Sequence, residues 1–183
     1  MMIGKLQETP SQTAGPYVHI GTAPQSIGRP PLTGQPGPRA EAEGERIIIE
    51  GTVFDGAGAP LRDAMLEIWQ ADSAGRVGAE GLFARCLADF DTGRYRFETV
   101  RPGPHREGQP AHVALLIFAR GINLHLHTRI HFPEERERVA ADPDLRRLEP
   151  EARETLIATQ EAAGHYRFDV HLQGANETVF FDI

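Results

Sequence analysis

The chain of 183 residues is long enough for one globular domain with a substantial core, and its composition, 40% hydrophobic and 25% charged, is typical of folded proteins. Its net charge of −7 argues against nucleic acid or an anionic membrane as a partner. A single cysteine, Cys86, excludes an intrachain disulfide. The first residues lack the apolar centre of a signal peptide and no apolar run reaches membrane-spanning length, so we expect a cytoplasmic protein.

The N-terminal quarter of the sequence predicts an arm and a linker. Residues 1–22 are polar, and Pro10 and the Gly15-Pro16 pair favour an extended arm without helical periodicity. Residues 24–45 are rich in proline and glycine, which is typical of a linker. We therefore expect residues 1–45 to form the arm and linker, and residues 46–183 to form the folded domain.

Short segments with strand patterns follow the linker. A β-branched run and a second apolar segment come first, then a strictly alternating segment in which Tyr95 and Phe97 share one side. The next segment is almost continuously apolar, as in a strand buried on both faces, and the remaining segments alternate again. The predicted strands are 47–54, 64–71, 93–100, 111–119, 124–132, 166–172 and 178–183.

One stretch of the chain has a helical pattern. Residues 133–163 are highly charged, and Pro150 stands at a plausible first-turn position before an alanine-rich and glutamate-rich segment. Short strands separated by turns predict an all-β fold. We expect a β-sandwich with an N-terminal extended arm and a short helical insertion near 134–163.

The sequence HLHTRIH places several polar side chains on one strand face. The two-residue period of a strand aligns His125, His127, Arg129 and His131. Two imidazoles at this spacing can share a metal if other ligands converge. The alternative is a row of polar residues on a half-exposed or subunit-facing strand, and Arg129 favours it because a guanidinium repels a cation.

Other candidate residues have ordinary structural explanations. A histidine inside an apolar strand, such as His112, is typically a satisfied core residue, and Cys86 has no pattern for nucleophilic catalysis and is expected to be buried. Tyr95 and Tyr166 are expected to face the core, and Tyr17 to anchor the arm. Arg120, at the exit of an apolar strand, could bind a carboxylate bidentately, but the residues alone favour an ion pair within the chain.

Several longer motifs resemble the intradiol ring-cleavage dioxygenases, and they span nearly the whole chain. They are ETPSQTAGPYVHIG (8–21), LEIWQAD (66–72), DTGRYRFETVRPGP (91–104), FARGINLHLHTR (118–129) and YRFDVHLQGANETVFFDI (166–183). The first and fourth resemble the α chains of two-chain members of that family. Catalytic members hold Fe(III) with two tyrosinates and two histidines, and the resemblance implies the same sandwich fold here.

The resemblance also shows which metal ligands this sequence lacks. In catalytic members a ligand tyrosine follows the Pro-Gly-Pro turn, and the next strand carries His-x-His. Here His105 follows the turn and the strand reads His112-Val113-Ala114, while residues 76–84 contain no tyrosine. The resemblance therefore implies that this chain binds no metal and that His105, His112 and Ala114 are vestigial positions.

The resemblance implies a non-catalytic α subunit of an αβ hetero-oligomer. A homologous β chain would hold the Fe(III), and the pair would cleave the aromatic substrate protocatechuate with O2 to 3-carboxy-cis,cis-muconate, a reaction of the β-ketoadipate pathway. Thr13, Gly15 and Pro16 would line the β-chain pocket, and Arg120 would approach the substrate carboxylate, which reverses the expectation from residues alone.

Two rival functions stay open at this point. One is a self-sufficient metalloenzyme that uses the histidines His105, His112, His125 and His127. The other is a non-enzymatic β-sandwich that binds or scaffolds a partner.

Overall fold

Two facing sheets are formed by nine strands in the computed structural model, which describes residues 10, 12–78 and 82–182. The strands are β1 (Arg46–Phe54), β2 (Met65–Gln70), β3 (Leu82–Leu87), β4 (Arg94–Val100), β5 (His112–Phe118), β6 (Leu126–His131), β7 (Thr159–Ala162), β8 (His165–Arg167) and β9 (Val170–His171). The first sheet has the order β4-β1-β8-β7, with β9 also paired to β1, and the second has the order β3-β2-β5-β6. The expected all-β sandwich is therefore confirmed.

The hydrophobic core fills the space between the two sheets because each strand turns alternate side chains inward. In β4, Tyr95 and Phe97 are buried while Arg94 and Arg96 are exposed. In β5, Val113 and the other odd-numbered residues point into the core. The largest fully buried side chains are Tyr95, Tyr166, Phe97, Phe132, Ile47, Ile49, Leu66, Ile68, Leu115, Ile117, Ile130 and Leu145.

In the first sheet, the backbone near Phe168 packs closely against one glycine of β1, Gly51. A Cβ added at Gly51 would clash with the backbone carbonyl of Phe168, the residue that separates β8 from β9. The hydroxyl of the buried Tyr95 donates to the same carbonyl. The space between these strands therefore admits glycine only.

The Pro-Gly-Pro turn is held against the turn that follows β2. The amide of Gly103 donates to the Asp72 carbonyl at 2.9 Å, and a Cβ on Gly103 would lie 2.6 Å from the Ser73 carbonyl oxygen. The Asp72 carboxylate in turn accepts from the amides of Ala74 and Arg76 at 3.0 and 2.9 Å. Two interlocked turns thus fix the start of the loop that carries His105.

The described part of the arm is not fully extended, which corrects the sequence prediction. Residues 16–22 form a short helix, α1 (Pro16–Thr22), and a 3-10 turn follows at Pro24–Ile27. Pro16 suits the first helical position, and Thr22 donates from Oγ1 to the Val18 carbonyl. Residues 1–9 and 11 lie outside the described residues, and the division of the chain between residues 45 and 46 stays a prediction.

The predicted helical insertion is shorter than expected. It contains α2 (Arg136–Ala141), α3 (Pro150–Glu154) and 3-10 turns at Pro133–Glu135 and Leu145–Arg147, but residues 159–162 form β7. The antiparallel pairing of β7 with β8 supplies backbone hydrogen bonds that outweigh the local helical pattern.

Strand prediction failed at three other places. Strand β3 was not predicted. Its Arg85 forms an ion pair with Glu67 of the neighbouring strand, with Nη2 of Arg85 2.5 Å from Oε1 of Glu67. The predicted strand 166–172 is interrupted at Phe168 and Asp169. Residues 178–182 form an extended segment along β6, with the Phe181 amide donating to the His127 carbonyl at 2.8 Å, rather than a strand. Residue 183 lies outside the described residues.

Among the described residues, no helix combines the length and the apolar character needed to span a lipid bilayer.

Candidate functional site

The arm meets the turn after β5 through Thr13. Its hydroxyl accepts a hydrogen bond from the Gly121 amide at 2.8 Å and lies 3.4 Å from the Ala119 carbonyl. Gly121 has φ +84°, a backbone conformation that favours glycine, so the turn that carries Arg120 depends on this residue. The structure thereby brings Thr13 and Arg120, two of the residues predicted to bind substrate, to the same place.

A small pocket of about 190 Å3 lies beside this junction. Gly15 and Arg120 both contribute to its wall, and Pro16 begins α1 directly after Gly15. The rest of the wall is largely apolar. The pocket is lined by Gly15, His19, Ile20, Ser26, Ile27, Asp63, Phe90 and Arg120.

The guanidinium of Arg120 is the cationic group of this pocket. Its Nε forms an ion pair with the carboxylate of Asp63, so the ion pair that the residues alone favoured is present. The Arg120 side chain is 71% exposed, and the hydrogen bonds of the described residues engage neither of its terminal nitrogens. Those two nitrogens have the spacing to bind a carboxylate bidentately. The Asp63 pair and a substrate contact are therefore compatible.

Asp63 is anchored by the helix of the arm. His19 is buried, and its Nε2 lies 2.6 Å from the Asp63 carbonyl oxygen. The helix α1 thus fixes the residue that in turn holds Arg120. Asp63 and His19 were not predicted from the sequence, because neither residue stands at a spacing that marks a site.

Two of the three positions that the resemblance marks as vestigial, His105 and His112, lie at a second cavity on the outer face of the second sheet. The rings of His105 and His112 are 5.5 Å apart, and both line a cavity of about 470 Å3. Ala114 lies in register between Trp69 of β2 and Arg129 of β6, so the three share one face. His112 is half-buried rather than a core residue, and its Nδ1 lies 3.2 Å from the Pro110 carbonyl oxygen.

These positions do not fit a ferric ion. Two imidazoles and the methyl group of Ala114 cannot supply the two tyrosinates and two histidines of the family's ligand set. Within residues 12–78 and 82–182, the one group of three side chains close enough to share a metal is Glu50, Glu161 and His165 on the other sheet. Arg94 and Arg96 already pair with Glu50. The four histidines of the rival metalloenzyme hypothesis form no such group among the described residues.

The histidine row of β6 is more buried than predicted. His131 is fully buried and His127 is 9% exposed, while the Arg129 guanidinium stacks on the Phe181 ring at 4.7 Å. The C-terminal segment covers part of the row, since the Phe181 ring contacts both His127 and Arg129. The expected half-exposed row is therefore wrong for His127 and His131, whereas His125 is exposed and Arg129 is half-buried.

Burial and the nearby guanidinium set the charge of these histidines. Desolvation lowers the pKa of His112 to about 4 and that of His131 to about 3, and the Arg129 charge adds to both shifts. Desolvation also lowers the pKa of His127 and of His105, with Arg129 again contributing. At neutral pH these four imidazoles are uncharged, and Arg129 is a fixed cation among them.

We expect acid to destabilise the protein through these histidines. Unfolding returns His112 and His131 to a pKa near the ordinary 6.5, so the unfolded chain takes up protons that the folded chain does not. Each group then lowers the free energy of unfolding by about 1.4 kcal/mol per pH unit as the pH falls below about 6.5, down to its folded pKa. Urea unfolding measured between pH 7 and 5 tests this.

In the variant His131→Asn, the free energy of unfolding should depend on pH less steeply than in the unmodified protein, by about 1.4 kcal/mol per pH unit over this range. His125→Asn is the matched control, because His125 is an exposed histidine of the same row. An unchanged slope in His131→Asn would contradict the expectation.

Several apolar side chains on the outer face of the second sheet are partly uncovered in the single chain. Trp69 is 48% exposed and packs against Phe83 with 4.4 Å between ring centroids. Leu116 and Phe118 on β5 are half-buried, so the expectation that this strand is buried on both faces holds only for its inner face. The apolar outer residues fit a surface that another protein covers.

The cysteine and two of the three tyrosines are buried, whereas the third tyrosine is exposed. Cys86 is buried, which raises the pKa of its thiol to about 12, and Tyr95 and Tyr166 face the core, as expected. Tyr17 is 87% exposed and anchors nothing in the described chain, so that prediction is wrong for the single chain.

Comparisons with known proteins show which family the sequence resembles. The profile of the family described as Dioxygenase matches residues 32–174. The chain is 45% identical to the protocatechuate 3,4-dioxygenase alpha chain of Pseudomonas putida, with 100% of both chains covered. It is 33% identical to the protocatechuate 3,4-dioxygenase beta chain of Burkholderia cepacia, covering 75% of this chain and 68% of that one.

Solved structures show the same fold. The dioxygenase domain of a dioxygenase carbohydrate-binding protein fusion from Streptomyces sp. SirexAA-E is 22% identical, with 91% of this chain and 100% of that chain covered and a TM-score of 0.63. Hydroxyquinol 1,2-dioxygenase from Pseudomonas putida DLL-E4 is 19% identical, with 79% and 63% covered and a TM-score of 0.56. Sequence and fold together place the chain in one family: it belongs to the intradiol ring-cleavage dioxygenases.

Proposed function

We propose that this chain is the non-iron-binding α subunit of a protocatechuate 3,4-dioxygenase. The proposal is supported by the full-length similarity to alpha chains, together with His105, His112 and Ala114 in place of the residues that the resemblance makes metal ligands. A homologous β chain supplies the Fe(III), and the αβ assembly cleaves protocatechuate with O2 to 3-carboxy-cis,cis-muconate. The cytoplasm is the expected compartment, in keeping with an unpaired, buried cysteine.

The contribution of this chain is to position the substrate. Ferric iron supplies the chemistry that activates the bound catechol toward O2, and that chemistry needs ligands that this chain lacks. Arg120 offers two terminal nitrogens to the substrate carboxylate, at the rim of a largely apolar pocket. A carboxylate bound there contributes the same binding free energy in the ground state and in the transition state, so its loss is expected to appear in KM and not in kcat.

The arm completes the wall of the partner's pocket. Thr13, Gly15 and Pro16 lie where the arm contacts the Arg120 turn, and Thr13 holds that turn through the Gly121 amide. The negative net charge of −7 would repel an anionic substrate at long range, so a local cation such as Arg120 is needed to bind it.

The β chain is expected to cover the exposed apolar surface. Trp69, Phe83 and Phe118 give the outer sheet face the aromatic content that is typical of permanent interfaces. An obligate interface of this kind buries on the order of 2,000 Å2 or more.

Co-expression with a β chain tests the proposal. We expect the two chains to co-purify and to cleave protocatechuate, and we expect a variant without residues 1–22 to keep the bound iron but lose most of the turnover. A matched variant with a polar substitution far from the arm, Arg94→Gln, should retain activity. Full activity of the truncated complex, or failure of the two chains to associate, would contradict the proposal.

A further inference from the structure

A group of potential metal ligands lies on the outer face of the first sheet. Glu50 of β1, His165 of β8 and Glu161 of β7 each offer one ligand atom, and the three atoms lie within 4.8 Å of one another. The three strands are neighbours in the order of the sheet. One imidazole and two carboxylates form a ligand set that zinc accepts in proteins.

The strand pattern and one β-bulge bring these three side chains together. Glu50 and His165 face outward because the adjacent Ile49 and Tyr166 are buried in the core. Glu161 lies at an irregularity in the pairing of β7 with β8, where the register shifts by one residue. A bulge of this kind turns a side chain in a new direction, and here Glu161 meets the other two residues.

The geometry of the His165 ring points to a metal ion in particular. Its Nε2 atom is buried and has no hydrogen-bond partner within the described part of the chain. This atom lies 3.4 Å from Oε1 of Glu50. In a tetrahedral zinc site with bonds of about 2.0–2.2 Å, two ligand atoms are about 3.3–3.6 Å apart. A protonated His165 would instead form an ion pair with Glu50, so protons compete with zinc for the same nitrogen.

Two arginines compete with a cation for Glu50. Nη2 of Arg94 donates to Oε1 of Glu50 at 2.6 Å, and Nη1 of Arg96 lies 3.5 Å from Oε2. Both arginine side chains are about half exposed, at 54% and 47%, and ion pairs this exposed contribute little to stability. An ion that coordinates Oε1 therefore displaces Arg94 into solvent, while Arg96 can keep its contact with Oε2.

From these observations we infer that the chain binds one Zn²⁺ ion through Glu50, Glu161 and His165. A water molecule completes the tetrahedron, because the site opens to solvent. The ion joins β1, β8 and β7, and so it fixes the edge strand β7, whose four residues are all exposed. The inference does not depend on the proposed function, because the site uses neither Arg120 nor the Fe(III) of a partner chain.

Zinc titration of the full-length chain, after treatment with a chelator, tests the inference. Isothermal titration calorimetry should show saturable binding of zinc, and the bound ion should raise the midpoint of thermal unfolding because it binds the folded chain. Mg²⁺ should bind far more weakly, since it prefers octahedral sites made of oxygen ligands. A lack of saturable zinc binding would overturn the inference.

Four variants identify the ligands. Glu161→Gln and His165→Gln should each weaken zinc binding about tenfold or more, because even residues that only support metal ligands change affinity 10- to 100-fold when they are replaced. Arg94→Gln should bind zinc more tightly than the unmodified chain, since the competitor for Glu50 is gone. Glu151→Gln, at an exposed glutamate of α3, is the matched control and should leave the affinity unchanged.

The opposite signs of these effects make the test specific. Removal of an arbitrary surface charge cannot weaken zinc binding at two positions and strengthen it at a third while Glu151→Gln has no effect. Unchanged affinity in Glu161→Gln or His165→Gln would overturn the inference. Binding that is no tighter in Arg94→Gln would also overturn it, because Glu50 would then not be a ligand.

Discussion

Replacing Arg120 with alanine in the assembled αβ enzyme should raise the KM for protocatechuate about 10- to 100-fold and leave kcat nearly unchanged. The reason is the loss of a charge-assisted contact worth about 1.5–3 kcal/mol to the substrate carboxylate. Arg120 is largely exposed and lies on a turn, so its removal should not disturb the fold or the iron content. Steady-state kinetics and iron analysis on the same preparation measure all three quantities.

A second substrate and a second variant sharpen this test. Catechol, which has no carboxylate, should show little change of KM in Arg120→Ala. Asp63→Asn should raise the KM for protocatechuate by less, up to about fivefold, because an exposed ion pair orients Arg120 with only about 0.2–1 kcal/mol. In the Arg120→Ala background the Asp63 substitution should have no further effect, since the two residues act through one contact.

The KM values of the two variants distinguish an error about Arg120 from an error about Asp63. An unchanged KM in Arg120→Ala would show that this residue does not contact the substrate. If KM changes in Arg120→Ala but not in Asp63→Asn, the claim that Arg120 contacts the substrate stands. Only the claim that Asp63 orients Arg120 is then contradicted.

Replacing Gly51 with alanine should destabilise the fold by about 3 kcal/mol or more. The added methyl group would clash with the Phe168 carbonyl, and backbone in this position cannot rotate away as a flexible side chain can. The change would also displace the acceptor of the buried Tyr95 hydroxyl. Urea unfolding of the variant and of the unmodified protein under the same conditions measures the difference.

Gly37→Ala is the matched control for this substitution. A Cβ at Gly37 would have no heavy atom within 4 Å, and its backbone does not have a positive φ. Its stability should therefore stay within about 0.5 kcal/mol of the unmodified protein. Equal stability of Gly51→Ala and Gly37→Ala would contradict the packing described around Phe168.

The alternation of apolar and polar residues predicted most strands of the sandwich correctly, because the inward and outward faces of the core strands differ in polarity. The Tyr95, Phe97 alternation of β4 is the clearest case. The same logic failed for β3, where Arg85 interrupts an apolar segment and is balanced only by Glu67 of the neighbouring strand. It failed again at β7, whose four exposed residues have no inward face to give a pattern. Both strands are specified by their partners in the sheet.

The sequence suggested part of the candidate site, and the substrate-binding role of those residues stays a prediction. Thr13, Gly15 and Arg120 were suggested by family resemblance, and the structure brings them together. Asp63 and His19 could not be predicted, because their contacts join segments that are 44 residues apart in the chain. The burial of His127 could not be predicted either, since the Phe181 ring that packs on it comes from the C-terminal segment and a strand pattern contains no information about that contact.

Iron content of the separated chains tests the central claim most directly. The full-length chain, expressed alone in iron-supplemented medium, should contain no stoichiometric iron and show no catecholate-to-iron colour, while the complex with a β chain should contain about one iron for each αβ pair. Stoichiometric, coloured iron in the isolated chain would contradict the claim that this subunit positions substrate for a metal that its partner holds.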